Sequence, residues 1–255
     1  MSNSATLDLI HAHGSVRRYK PDPLPASLVE TIVAAGQRAS TSSNKQTYSI
    51  IATADEEKRL ALMEIAGGQI QVQQAPLFLT FCADRTRLDK VCELRGYKQD
   101  FSTLESFLIA AVDAALVAQN IALAAESLGL GICYIGAIRN NTAAVIELLK
   151  LPKGVFPITG MTIGYPLHPP RIRPRLPQEA ILHWESYNPN QDEALLAYDK
   201  KMIETGIYKN RQVPIAGKEG EMEAYGWMEH TARRVSAPSR QNLRAEVEKQ
   251  GFELK

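Results

Sequence analysis

The chain has 255 residues, with 45% hydrophobic and 22% charged side chains and a formal net charge of +1, which are ordinary values for a soluble globular protein. A chain of this length can bury a sizeable core without disulfides or a structural metal. The near-neutral charge argues against a general nucleic-acid or membrane-surface binder, because both usually carry a basic excess.

Nothing in the sequence predicts export or membrane insertion. The N-terminus lacks a basic segment followed by an apolar one, so we expect no secretory signal. The most apolar region, residues 107–125, is interrupted by Asp113, Gln119 and Asn120, and no apolar run approaches the roughly 18–20 residues of a membrane-spanning helix. The three cysteines include no CxxC pair, which argues against a disulfide framework and a zinc site. We therefore expect a cytoplasmic protein with no metal and no membrane partner.

The first part of the chain predicts helices mixed with short strands. Residues 4–11 suit a short helix, and an amphipathic helix follows with Ser27 as its N-cap. Residues 48–53 and the apolar run 77–82 are typical of strands. A helix over residues 55–66 should lie between them and end at a glycine pair.

The middle of the chain contains the longest predicted helix, from about residue 104 to residue 128. Its apolar residues cover most faces and alanine is frequent, so we expect it to be buried in a core or a subunit interface. A strand at 132–135, a helix at 142–149 and a strand at 155–163 should follow. The segment 168–177 contains four prolines and three arginines and must be an extended loop.

A polar tail follows this loop, with helical stretches near residues 194–205 and 238–250. No clean linker separates the tail from the body of the protein. We therefore predict a core over residues 1–190 and a C-terminal extension over residues 191–255, which belongs to the same domain and wraps a second subunit. A Rossmann domain and a P-loop are both disfavoured, because neither glycine-rich fingerprint occurs.

Two basic motifs suit a phosphate. The stretch His13 to Tyr19 combines the fork-shaped guanidiniums of Arg17 and Arg18 with a hydroxyl and a glycine that permits close backbone approach. Its first five residues, His13-Gly14-Ser15-Val16-Arg17, are called the opening motif below. A solvated basic turn is the alternative. The arginine loop, Arg173-Pro174-Arg175-Leu176-Pro177, holds its arginines on a proline-stiffened segment.

Three further motifs are weaker when each is taken alone. The serine-rich loop, Ser40 to Gln46, offers hydroxyls and amides to a polar heterocycle, although it also suits an ordinary loop. The glycine break, Gly67-Gly68-Gln69, adds a side-chain amide to a helix stop. The strand-end motif, Tyr134-Ile135-Gly136-Ala137, has a glycine that can present a bare N–H, although such a glycine is usually only a turn.

The order and spacing of these motifs resemble the FMN-dependent nitroreductase superfamily, and within it the branch of NADPH-dependent flavin reductases and oxygen-insensitive nitroreductases. That branch has an H-R-S-x-R opening, a serine-rich loop ending in Gln, a G-G-Q, an A-E-S-L-G-L-G followed by Y-I-G, and a K-P-R-L-P. The resemblance covers about residues 5–190. Gly14 replaces the usual arginine of the opening, and Arg173 replaces the usual lysine.

The resemblance implies an α+β fold with a mixed sheet flanked by helices, in an intertwined homodimer whose C-terminal extension wraps the partner. FMN would lie in the dimer interface, with two sites per dimer. His13, Ser15, Arg173 and Arg175 would contact the FMN phosphate. Arg17 would act as the catalytic residue at the N1/O2 edge of the flavin, where a fixed guanidinium stabilises negative charge.

The resemblance also implies contacts from the other motifs. The serine-rich loop would approach FMN from the other subunit, Gly136 would present its N–H near N5, and Gln69 would pair with the pyrimidine edge. The remaining residues expected to line the cofactor are Gly14, Val16, Thr41, Ser42, Ser43, Asn44, Tyr134, Ile135 and Ala137.

NADPH is the expected reductant, and its 2′-phosphate requires cations away from the flavin phosphate. The tail offers Lys209, Arg211, Lys218, Arg233, Arg234 and Arg240. In the resembled branch, late arginines take this role, so we assign NADPH binding to Arg211, Arg233, Arg234 and Arg240. A solvated helix face in a charge-balanced tail is the alternative.

The sequence thus predicts an NADPH-dependent FMN oxidoreductase that reduces nitroaromatics, quinones, flavins or similar acceptors by a ping-pong mechanism. The alternatives are a flavin reductase supplying another enzyme, a flavin-binding carrier or sensor without turnover, and a soluble α/β protein with accidental motif matches. The expected partners are a second copy of the chain and a small-molecule electron acceptor, with no nucleic acid.

Overall fold

A computed structural model describes residues 4–100, 103–214 and 222–255, which form helices mixed with short strands. The strands are β1 (Tyr48–Thr53), β2 (Leu77–Asp84), β3 (Gly131–Ile135), β4 (Val155–Gly164), β5 (Gln212–Pro214) and β6 (Met222–Ala224). The α-helices are α1 (Ala5–His11), α2 (Ala26–Gly36), α3 (Glu56–Ile65), α4 (Gln71–Gln74), α5 (Thr86–Arg95), α6 (Leu104–Ser127), α7 (Thr142–Leu148), α8 (Asp192–Glu204), α9 (Trp227–Val235) and α10 (Leu243–Lys249).

Most predicted elements up to residue 164 lie within two residues of an observed one. The predicted strand over residues 48–53 is β1, and the predicted helix over residues 104–128 is α6. The glycine pair ends α3 as predicted, since Gly67 and Gly68 adopt φ values of +75° and +74°. Such left-handed backbone is accessible mainly to glycine.

Two predicted helix starts are wrong. Ser27 lies inside α2, whose N-cap is Pro25, and the Ser27 carbonyl accepts a hydrogen bond from Thr31 Oγ1 at 2.7 Å. The tail helix predicted from residue 238 begins only at Leu243. Arg240, with a φ of 54°, adopts a left-handed conformation that breaks the helical path before that point.

The central sheet has the strand order β1-β2-β4-β3, and each neighbouring pair is antiparallel. The mixed sheet that the resemblance implies is therefore wrong for the described residues. The connections after β1 and β3 return the chain to the end of the sheet at which it left, so the next strand runs in the opposite direction. β2 is buried along its whole length, as a central strand should be.

α6 is the central helix of the core. Its residues Val117 and Ile121 are fully buried in one cluster with Ile32 of α2 and Leu79 of β2. By length and composition alone α6 could cross a membrane, contrary to the expectation that no segment would pass that test. The packing of its inner face against the sheet identifies it as a core helix.

The chain divides into two units. One unit comprises Met1–Arg171 with Arg240–Lys255, and the other comprises Ile172–Ser239. The last residues belong to the first unit because Phe252 packs there, in a cluster with Phe156. The second unit contains α8, the β5–β6 hairpin and α9. The predicted division at residue 190 lies inside the second unit. Lys218, one of the tail cations that the sequence offers for NADPH, lies outside the described residues.

Candidate functional site

The opening motif lies along β3. The Val16 N–H donates to the Ile132 carbonyl at 2.8 Å. The Val16 side chain fills the space above Gly131, where a Cβ would come within 2.6 Å of Val16 Cγ2. Val16 is buried by this packing, whereas Ser15 and Arg17 on either side of it are exposed. The backbone of the motif is thus fixed against the sheet while its polar side chains face outward.

Tyr19 strengthens this attachment. Its buried hydroxyl lies 2.7 Å from the Val16 carbonyl and 2.7 Å from Thr162 Oγ1 on β4. Burial raises the pKa of Tyr19 well above the ordinary tyrosine value, so the hydroxyl stays protonated and can donate. Tyr19 therefore ties the end of the opening motif to a second strand.

His13 has a carboxylate partner that the motif does not reveal. Its Nδ1 lies 2.6 Å from Oε1 of Glu126, near the end of α6. The other carboxylate oxygen of Glu126 is buried without a hydrogen-bond partner. Burial, together with the Glu126 charge, raises the pKa of Tyr134 well above its ordinary value. The Glu126 contact fixes the orientation of the His13 ring.

The glycine break lies beside the strand-end motif. A Cβ on Gly67 would lie 3.9 Å from Asn140 Nδ2, and Asn140 belongs to the 3₁₀ turn Gly136–Asn141 that follows β3. Gln69 accepts a hydrogen bond from Gln71 Nε2 at 2.9 Å. The structure therefore brings the opening motif, the glycine break and the strand-end motif together around β3.

The serine-rich loop lies at the opposite edge of the sheet. It leads into β1, whereas the opening motif lies along β3, and these are the two edge strands. Neighbouring strands are about 4.8 Å apart, so the two edges are separated by about 14 Å. Within one chain, Thr41 to Asn44 are therefore not brought together with Arg17.

Three of the predicted NADPH-binding arginines lie in the second unit. The guanidinium carbons of Arg211 and Arg233 lie 4.5 and 5.7 Å from the centre of the Tyr225 ring, within cation–π range. Arg233 also forms an ion pair with Glu229, one turn earlier in α9. Arg234 is exposed on the same helix. Arg211 and Arg233 are thus brought to one aromatic ring.

Arg240 lies in the first unit, beside the turn after β3. Its Nη2 and Nε lie 3.2 and 3.3 Å from Oδ1 of Asn140. Arg139 and Arg240 both line a small cavity of about 130 Å³. Burial and the nearby Arg240 charge lower the pKa of Arg139. Arg240 therefore belongs to a different unit from the other three predicted NADPH ligands.

Among the described residues, no group of three or more His, Cys, Asp or Glu side chains could hold a metal ion. The polar groups around β3 are guanidiniums, hydroxyls, amides and backbone N–H groups. This donor set suits an anionic or heterocyclic ligand.

Comparison with known proteins decides the family. The model of the nitroreductase family matches residues 10–165, and the model of the nitroreductase family C-terminal domain matches residues 173–255. The chain belongs to the nitroreductase family.

Full-length relatives support the same branch that the motifs indicate. This nitroreductase-family chain is 40% identical over 247 residues to the FMN reductase (NAD(P)H) of Bacillus subtilis, covering 95% of each chain. It is 37% identical to the oxygen-insensitive NADPH nitroreductase of Salmonella typhimurium, covering 98% of each chain. The structure of B. megaterium NfrA2 has a TM-score of 0.91 and 36% identity, covering 99% of this chain and 100% of that chain. The predicted family and branch are confirmed.

The glycine that departs from the family's opening pattern has a packing role in this nitroreductase. A Cβ on Gly14 would lie 2.8 Å from the Arg171 carbonyl oxygen and 2.9 Å from Pro170 Cβ. Because both neighbours belong to one stiff segment, neither can move aside without displacing backbone. The second unit begins directly after Arg171, and Arg173 and Arg175 are exposed at its start. Gly14 therefore does more than remove the positive charge of the family's usual arginine. Because it has no side chain, residues 170–171 can pack against it.

We predict that Gly14→Ala destabilises the protein by about 1–3 kcal/mol, the usual effect of inserting a methyl group into a packed contact. The free energy of unfolding of the apoprotein, measured by urea denaturation, tests this. Lys20→Ala is the control, because Lys20 is exposed and such changes usually stay within about 0.5 kcal/mol. Equal midpoints for Gly14→Ala and the wild type would contradict the packing role.

Proposed function

We propose that the protein binds FMN and uses it to transfer electrons from NADPH to a small-molecule acceptor by a ping-pong mechanism. The chain is an oxidoreductase of the nitroreductase family, and its full-length similarity to an FMN reductase and a nitroreductase carries the proposal. The acceptors that fit are nitroaromatics, quinones, flavins or metal oxyanions such as chromate. We place the enzyme in the cytoplasm.

The residues around β3 suit a flavin mononucleotide. Ser15 and Arg17 are exposed on a backbone that is fixed against the sheet. At Gly136 a Cβ would lie 3.3 Å from Arg139 Nη2, so glycine leaves room for the Arg139 guanidinium beside the backbone at the end of β3. Bound FMN would supply the acceptance and delivery of hydride at a flat ring.

The chain's own residues would bind and orient this group. Arg17 would place a fixed positive charge at the N1/O2 edge of the ring, the Gly136 N–H would face N5, and Gln69 would pair with the pyrimidine edge. The other residues proposed to line the flavin ring or its ribityl chain are Gly14, Val16, Thr41, Ser42, Ser43, Asn44, Tyr134, Ile135 and Ala137.

The FMN phosphate would be bound by His13, Ser15, Arg173 and Arg175. Chain continuity supports this proposal. The Arg171 carbonyl lies against Gly14, and Arg173 is two residues further along the chain. Two guanidiniums and a hydroxyl give charge-assisted hydrogen bonds, which are the strong ones for a phosphate.

The function is tested by anaerobic mixing. Purified protein should be yellow, NADPH should bleach the flavin absorbance, and a nitroaromatic should then restore it, with parallel lines in steady-state double-reciprocal plots. Free FMN is tested as an acceptor beside the nitroaromatic, because reduced free flavin could supply another enzyme.

Arg17→Ala should keep its flavin but lose about 10²–10³-fold in turnover, by analogy with the removal of one charge-stabilising donor. A flavin-loaded protein that neither NADPH nor NADH reduces would instead be a carrier or sensor.

We propose that two copies of the chain complete each site. The serine-rich loop lies at the far edge of the sheet from the opening motif, so it would reach the flavin of a second copy. Four apolar residues at four-residue spacing on α6 are between 44% and 53% exposed, namely Leu104, Leu108, Val112 and Leu116. An apolar stripe on the outer face of a helix that is buried on its inner face indicates an interface. The homodimer, with the C-terminal extension wrapping the partner, would cover it.

Introducing Leu108→Glu with Val112→Glu should therefore give a folded monomer without bound FMN. Two charges would be buried in the proposed interface, whereas in the monomer they would face water. Sedimentation velocity measures the oligomeric state. Leu94→Glu is the matched control, because Leu94 is 72% exposed on α5 and lies outside the stripe. A dimeric double variant, or a flavin-loaded wild-type monomer, would reject the proposed interface.

Specificity for NADPH over NADH is proposed to come from the late arginines. Two observations support a pair of cationic patches suited to a phosphate. Arg211 and Arg233 approach one ring, and Arg240 pairs with Asn140. Arg234 is exposed one residue after Arg233 on α9.

We predict that Arg233→Ala with Arg234→Ala, and separately Arg240→Ala, raise KM for NADPH by about 10-fold or more and hardly change KM for NADH. Hydrogen bonds to a charged group contribute about 1.5–3 kcal/mol, and only NADPH has the 2′-phosphate. Arg244→Ala is the control, since Arg244 pairs with Glu248 on the exposed face of α10. Equal changes with both cofactors would assign these arginines a structural role, and a wild-type preference for NADH would remove the proposal.

A further inference from the structure

We infer that Asp113 is a positioning residue that clamps the serine-rich loop and thereby shapes the flavin site. The inference rests on the proposed function, because that function gives the loop its role. Asp113 lies on α6 and is only 1% exposed. A buried carboxylate is costly unless hydrogen-bond donors surround it, so its partners show what it holds in place.

All the described hydrogen bonds of Asp113 go to the serine-rich loop and to the residue that follows it. Oδ1 accepts from the Ser42 N–H at 3.0 Å, and Oδ2 accepts from the Thr47 N–H at 3.1 Å. Oδ2 also accepts from Thr47 Oγ1 at 2.7 Å. One rigid carboxylate thus bonds the backbone on both sides of the segment 43–46.

The backbone between these two anchors is strained. Ser43, Asn44 and Gln46 have φ values of 49°, 55° and 54°, in the left-handed region that residues other than glycine rarely adopt. Three such residues in a stretch of four persist only when the surroundings determine the conformation. Asp113 supplies part of that constraint by accepting hydrogen bonds from backbone N–H groups at both ends of the stretch.

A guanidinium supplies a weaker constraint on the same loop by donating hydrogen bonds to backbone carbonyls. Arg87 of α5 donates from Nη1 to the Gln46 carbonyl at 2.8 Å and to the Tyr48 carbonyl at 3.3 Å. Arg87 is about half exposed, whereas Asp113 is buried. Hydrogen bonds to a buried charge are the harder to replace, so Asp113 is the principal anchor.

The place of Asp113 on α6 links the loop to the proposed dimer interface. Asp113 directly follows Val112 of the exposed apolar stripe, and Asp113 is buried whereas Val112 is exposed. The helix that would meet the second copy therefore also sets the position of the loop. In this arrangement each protomer presents Ser42, Ser43 and Asn44 to its partner's flavin, and Asp113 on α6 fixes the position of these three residues.

The test uses Asp113→Asn in the full-length protein. An amide of the same size has a single acceptor oxygen, so it cannot accept from both Ser42 and Thr47. Hydrogen exchange of these two amides should accelerate about 10-fold or more in the apoprotein, and the FMN dissociation constant should rise about 10-fold or more. FMN affinity is measured by quenching of flavin fluorescence, and sedimentation should still show the oligomeric state of the wild type.

Two further comparisons separate positioning from general stability. Thr47→Val removes only the hydroxyl donor and should weaken FMN binding less than Asp113→Asn, whereas Thr47→Ser should bind as the wild type does. Ala118→Gly, at a buried position of the same helix, should lower the unfolding midpoint without changing exchange at Ser42 or the FMN affinity. If Asp113→Asn does not fold, the two Thr47 variants decide.

Wild-type FMN affinity in Asp113→Asn, or equal affinities in Thr47→Val and Thr47→Ser, would overturn the inference. Faster exchange at Ser42 and Thr47 with unchanged affinity would also overturn it, since the clamp would then not serve the site. Wild-type protein that binds no FMN would overturn the proposed function first, and the exchange measurement would still report the clamp separately.

Discussion

Two carboxylates on the core helix α6 set where the candidate site residues lie. Near its middle α6 holds the serine-rich loop through Asp113, and near its end it holds the opening motif through Glu126. At 1.5 Å per residue these two side chains are about 20 Å apart along a rigid axis. A single chain therefore holds its two polar motifs apart, and the packing of α6 against the sheet maintains that separation.

This separation explains why the proposed chemistry needs a second copy of the chain. Around β3 each chain supplies the Arg17 guanidinium, the Gly136 N–H and the Gln69 amide, whereas the hydroxyls of the serine-rich loop lie at the other edge of the sheet. The outer stripe of α6 offers an apolar surface on which a second copy could place its loop beside this group. Because the flavin carries the reactive atoms, the residues need only bind, orient and stabilise charge.

Local patterns predict much of the fold, and long-range partners account for most of what they miss. β1, α6 and the glycine stop after α3 follow from periodicity and backbone chemistry within a few residues. The antiparallel sheet order depends on pairings such as β2 with β4, which no local signal specifies. Among the site residues, Asp113 reads in the sequence only as an interruption of an apolar helix, because its partners Ser42 and Thr47 lie 71 and 66 positions away. The motifs and their order identify the family, but the role of each residue depends on a second chain and a cofactor.

The most direct test of a site shared between two chains is subunit complementation. One chain carries Arg173→Ala with Arg175→Ala, the other carries Asp113→Asn, and differently tagged copies are co-expressed and purified as the heterodimer. A shared site predicts one FMN site of wild-type affinity per heterodimer and only weakened sites in either variant homodimer, because one of the two heterodimer sites would combine intact arginines from one chain with an intact loop from the other. A heterodimer in which both sites bind FMN more weakly than the wild type would contradict the account and confine each site to a single chain.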